Sequence, residues 1–85
     1  MPAVDRAVAD VRAIVATALG VPPERLTDDV EFGSLPQWDS LNHVNLMLAL
    51  EAALATHIDA DLMIELTSLR AILDFAAWQT GRRHE

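Results

Sequence analysis

The chain has 85 residues, with thirteen Asp plus Glu, six Arg, no Lys and no Cys, for a formal charge of −7. That length holds one domain, too small for a deep catalytic pocket, and its acidity disfavours nucleic acid while favouring basic protein partners. The missing thiols exclude disulfides, thiolate metal sites and a cysteine nucleophile.

Residues 3 to 18 read as a helix, because Val4, Val8, Val11 and Val15 recur at helical spacing with Ala7, Ile14 and Ala18 beside them. Gly20 is placed to cap its carboxy terminus, and Pro22-Pro23 forbid continuation. Residues 20 to 39 show no sustained period but carry apolar anchors at Val21, Leu26, Val30, Phe32 and Leu35. This predicts a long loop pinned across the core, with room for a short helical turn.

Residues 40 to 55 read as the second helix, capped by Asp39 or Ser40. A short third helix follows Asp59, over residues 59 to 65. Thr67 or Ser68 caps a last helix that runs to about Trp78, with Leu69, Ile72, Leu73 and Ala76 on one face. Residues 79 to 85, after which little holds the chain, read as a flexible tail. No segment alternates at period two for long enough to be a strand. The expected fold is all-α: a small four-helix bundle in one domain over residues 1–85, its core at about 3–78, with a long first loop and a short third helix.

No basic stretch followed by an apolar core opens the chain, and no apolar run nears the ~20 residues that span a bilayer. A cytoplasmic, monomeric domain with no membrane partner is the expectation. His57 and His84 have no ligand partners at metal spacing, so no metal site is expected.

The second helix is apolar on two sides. Leu46, Leu50 and Leu54 share one face with His43 and Met47, while Leu41, Val44 and Leu48 lie nearly opposite, with Glu51 at the edge. A small bundle buries one such stripe. The second is either an exposed patch for a partner or a stripe covered by the long loop. Ser40 starts this helix, where unpaired N–H groups favour a phosphate on its hydroxyl, yet a serine there also serves as an ordinary cap. His43 either edges the mouth of a cavity or packs as a half-buried residue. Asp39, Ser40 and His43 stand in a triad-like order, but no Gly-x-Ser-x-Gly elbow accompanies them, which argues against a hydrolase. A plain helical interaction module accounts for the second stripe and leaves Ser40 without a role.

The run Trp38-Asp39-Ser40-Leu41, followed by Asn42-His43-Val44-Asn45-Leu46 and Leu50-Glu51, resembles the acyl carrier protein family, whose attachment motif is Asp-Ser-Leu at the start of the second helix. The likeness extends in register over about residues 3 to 78. It takes in Leu19-Gly20-Val21, Phe32, Ile58-Asp59, Leu66-Thr67-Ser68-Leu69 and Ile72-Leu73-Asp74-Phe75. The resemblance implies a carrier rather than an enzyme. Ser40 becomes the covalent attachment point of 4′-phosphopantetheine, donated from coenzyme A by a phosphopantetheinyl transferase, with Asp39 beside it. Leu41, Val44, Asn45, Leu48 and Glu51 become the partner face. The implied partners are that transferase, an acyl- or aminoacyl-loading enzyme, and a downstream synthase, ligase or transferase. The implied setting is fatty-acid-like, polyketide or other specialised biosynthesis, with a stand-alone aminoacyl or peptidyl carrier as the alternative.

Two departures stand out. Gln37-Trp38 precede the motif where many fatty-acid carriers have glycine and a small residue, and Asn42 and Asn45 stand where acids are common. Glu51 is the only charge from Ser40 to Ala55. Docking is therefore expected to lean on apolar contact and amide hydrogen bonds, with Asp28, Asp29, Glu31, Asp39, Asp59, Asp61 and Glu65 supplying long-range steering.

Overall fold

The structure is a computed structural model describing residues 2–83. Four helices carry the fold: α1 (Pro2–Leu19), α2 (Ser40–Leu54), α3 (Ala60–Glu65) and α4 (Leu69–Arg83), with one 3-10 turn at Pro23–Arg25. The described residues contain no strand; one antiparallel bridge pairs Glu31 with Ser68. The expected helical bundle is thus the observed one.

Valine is a poor helix former, so α1 depends on burial. Val11, Val15, Ala16 and Leu19 are buried where α1 packs against both α2 and α4. The side chains of Val4 and Ala7, expected on the same stripe, lie outside those described. Gly20 ends α1 at φ +68°, donating to the Thr17 carbonyl while Val21 donates to that of Ala16. This is a Schellman closure, which a side chain at Gly20 would strain.

The long loop crosses the core on Val21, Leu26 and Val30, all buried, with Leu35 half-buried against them. It is stitched to the α3–α4 connection and the start of α4 by two hydrogen bonds: the Phe32 N–H to the Thr67 carbonyl, and the Leu69 N–H to the Val30 carbonyl. Arg12 on α1 fixes its middle by donating to the Leu26 carbonyl at 2.9 Å and pairing with Asp28. Phe32, expected as an anchor, is instead 42% exposed and stands at the loop's edge. The deeper anchor is Trp38, 1% exposed, at the loop's far end.

Leu46, Met47, Leu50 and Leu54 of α2 face inward and are buried. The helix ends at Ala55, which is left-handed at φ 51°. A Cβ there costs about 1–2 kcal/mol. Ala55→Gly should therefore raise the thermal midpoint by several degrees, at about 4–8 °C per kcal/mol for a domain this small. Differential scanning calorimetry would test this, and an unchanged or lower midpoint would refute the strain.

Helix α4 outruns the end expected at about Trp78. It continues five residues further, to Arg83. Gly81 keeps a right-handed φ, and Thr80 donates to the Ala76 carbonyl at 2.9 Å. A glycine inside a helix costs roughly 0.5–1 kcal/mol, which weakens a helix without stopping it, and no proline follows. His84 and Glu85 lie outside the described residues. Leu69, Ile72 and Ala76 are buried as the spacing predicts, with Leu73 half-buried.

Candidate functional site at the start of the second helix

The amino terminus of α2 is built by three side chains with separate tasks. Asp39 is extended and caps the helix, its Oδ1 accepting from the Asn42 N–H at 2.9 Å. The Asn42 side-chain amide reaches back to the Gln37 carbonyl at 2.7 Å and ties the first turn to the loop. Because Asp39 supplies the cap, Ser40 does not have to. The Ser40 side chain is exposed, and its hydroxyl has no partner among the described residues.

The other two serines of the chain are engaged. Ser34 donates to the Glu31 carbonyl at 2.7 Å and accepts from the Glu31 N–H at 2.9 Å. Ser68 accepts from the Ala71 N–H at 3.1 Å and caps α4. Of the three serines, Ser40 is the one whose hydroxyl is left free, at a helix end whose dipole favours an anion.

His43, one turn on, is only 7% exposed. Its Nδ1 accepts from the Trp38 indole N–H at 3.0 Å, since an indole nitrogen can only donate. The proton therefore sits on Nε2, which donates to the Met63 carbonyl at 2.9 Å. The ring lies edge to edge with Trp38 (centroids 6.2 Å, planes 29° apart) and meets Phe32 edge-on (5.6 Å, 83°). Both nitrogens are occupied, and the Asp39 carboxylate serves the cap. The triad-like order Asp39, Ser40, His43 thus forms no relay, and no base partners Ser40 among the described residues.

A cleft of about 280 Å³ opens beside Ser40, lined by Phe32, Ser40, His43, Met63, Ile64 and Thr67. Along α2, Leu41 (70% exposed), Val44 (43%) and Leu48 (57%) form an uncovered apolar row. The loop does not cover it, so the stripe is exposed and is no part of the core. Asn45 is exposed in the same row. Glu51, expected on the partner face, is drawn aside: its carboxylate accepts from the Ile58 N–H at 2.7 Å and meets His57 Nδ1 at 3.2 Å. It closes the turn that follows α2. Exposed acids flank the helix on the loops and on α3, at Asp28, Asp29, Glu31, Asp59, Asp61 and Glu65. Among them, the Asp29 carboxyl is held below its usual range by the Thr27 hydroxyl and its own N–H.

Residues 9–76 match the family described as a phosphopantetheine attachment site. A 65-residue stretch is 35% identical to an acyl carrier protein of Thermosynechococcus vestitus, covering 76% of this chain and 80% of that relative. The chain belongs to the acyl carrier protein family.

A carrier of this family holds covalently attached 4′-phosphopantetheine, and the residues present suit that group. The chain offers an accessible, unpartnered hydroxyl at a helix amino terminus, with an apolar cleft alongside. The carrier has no thiol of its own, so the group supplies the only one. The sequence missed the Trp38–His43–Met63 chain of hydrogen bonds. A signal existed: a tryptophan that enters a core must find its N–H a partner, and His43 is the nearest ring on the inward stripe.

Proposed function

We propose that this carrier takes its phosphopantetheine on Ser40, carries acyl cargo on it, and presents that cargo to biosynthetic synthases, ligases or transferases through Leu41, Val44, Asn45 and Leu48. The observation that carries the reading is the free Ser40 hydroxyl, relieved of capping by Asp39. In the transferase, the Ser40 oxygen attacks the pyrophosphate of coenzyme A. A phosphodiester forms, 3′,5′-adenosine diphosphate leaves, and the hydroxyl proton passes to a base of the transferase. Once attached, the group supplies a thiol that holds cargo as a thioester. Asp39 keeps the first turn wound, so the Ser40 oxygen stays at a fixed place on the surface. Tethering then raises the effective concentration of cargo at a docked enzyme to about millimolar.

Incubation with coenzyme A and a promiscuous phosphopantetheinyl transferase tests the reading. The intact mass should rise by one phosphopantetheinyl group; an unchanged mass would favour the unmodified interaction module.

The partner face is apolar and uncharged, so its partners should be apolar at the point of contact. Leu41→Ala should lower kcat/KM with the transferase by on the order of tenfold, the loss expected when a leucine no longer buries its side chain. Added salt should reduce the native rate only mildly, because screening acts on the loop acids and not on the contact itself. A steep salt dependence with an inert Leu41→Ala would place the contact on charge instead.

A further inference from the structure

We propose that His43 is a specificity-determining residue that sets the depth of the cleft beside Ser40, restricting sheltered cargo to short apolar chains. This rests on Ser40 being the attachment point.

At about 280 Å³ the cleft falls just below the usual range of small-ligand sites. Its lips are apolar: Phe32 is 42% exposed and Ile64 72% exposed. None of its lining residues is charged while His43 is neutral, so a cargo bearing an ammonium or carboxylate finds no counter-ion there. Neither nitrogen of His43 is left to offer the cleft.

The limit on depth comes from what holds the imidazole. Its Nδ1 is held by Trp38, which does not line the cleft and is 1% exposed, in the same core as Leu46, Met47 and Leu50. A longer chain can advance only by displacing His43. That breaks the bond to Trp38 and strands a buried indole N–H, a group that is expensive to leave without an acceptor. Retreat of α3 is restrained by the same ring. The helix has no fully buried residue of its own, and the His43 Nε2–H to the Met63 carbonyl is a direct tie from α2. Trp38, His43 and Met63 therefore act together: one ring closes the floor and fastens one wall.

The test uses the carrier loaded by the transferase with saturated chains from acetyl to dodecanoyl, taken from the corresponding acyl-coenzyme A thioesters. Intact mass first verifies one group on Ser40. In the native protein the thermal midpoint should rise over the shortest chains, on the order of 3 °C for each fully buried methylene, and then level off. The Trp38 indole N–H resonance should not move with the longer chains. In His43→Ala the plateau should shift to longer chains and the indole resonance should move with them. Trp38→Phe, which frees the imidazole from its acceptor role, should shift the plateau in the same direction and serves if the alanine variant does not fold. A midpoint that keeps climbing with chain length in the native protein overturns the proposal, as does a plateau unaltered in the variants. Absence of any added mass overturns instead the assignment of Ser40, and the proposal with it.

Discussion

Ser40→Ala should accept no phosphopantetheinyl group under conditions that modify the native carrier completely, while Ser34→Ala and Ser68→Ala should be modified in full. The reason lies in how the three hydroxyls are used. Those of Ser34 and Ser68 are consumed by backbone partners in the loop and at the start of α4. Ser40 is exposed beside a carboxylate that has already satisfied the helix end. The alanine variant should keep its stability to within about 0.5 kcal/mol, as surface changes away from caps and cores do. Intact mass spectrometry reads the loading and circular dichroism the fold. Modification persisting in Ser40→Ala, or lost in Ser34→Ala with the fold intact, would move the attachment point elsewhere.

Trp38→Ala should be the most damaging single change to the fold. The indole is 1% exposed, and truncating a core aromatic costs about 3–5 kcal/mol. It also removes the donor that His43 Nδ1 accepts from. A chain of this length has a total stability of about 4–13 kcal/mol, so the variant should lie close to its unfolding threshold at ambient temperature. Trp38→Phe retains the ring volume in large part and loses only the N–H, which leaves one buried acceptor unpaired at about 1–3 kcal/mol. Urea denaturation should order the three proteins native, phenylalanine, alanine. An alanine variant as stable as the native protein would mean that Trp38 is not a core residue.

The bundle was legible because its signals are local and periodic. The valine stripe of the first helix, the Gly20 stop and the Leu46, Leu50 and Leu54 face each follow from spacing along one element. The family resemblance was legible through the residues around Ser40 and their depth in the chain. Three features needed tertiary context. Trp38 sits in an aperiodic loop, so no pattern marks it as core, and only the folded chain brings it onto His43. Glu51 occupies a helical position at the edge of the outer stripe, but the turn through His57 and Ile58 folds back to claim its carboxylate. The last helix outruns Trp78 because a glycine weakens a helix by an amount that neighbouring turns can absorb. The choice between Asp39 and Ser40 as cap was open in the sequence for a related reason. Both types cap well, and only the bond from the Asn42 N–H decides between them.

The packing of α1 against α4 has a consequence for how the polypeptide is made. Joining the end of α1 at Leu19 to the start of α4 at Leu69 closes a loop of about fifty residues, an entropic cost of about 3–4 kcal/mol. During translation α1 lacks its packing against α4 until α4 has left the ribosome. Folding is thus a late event, triggered when the second of two distant segments becomes available.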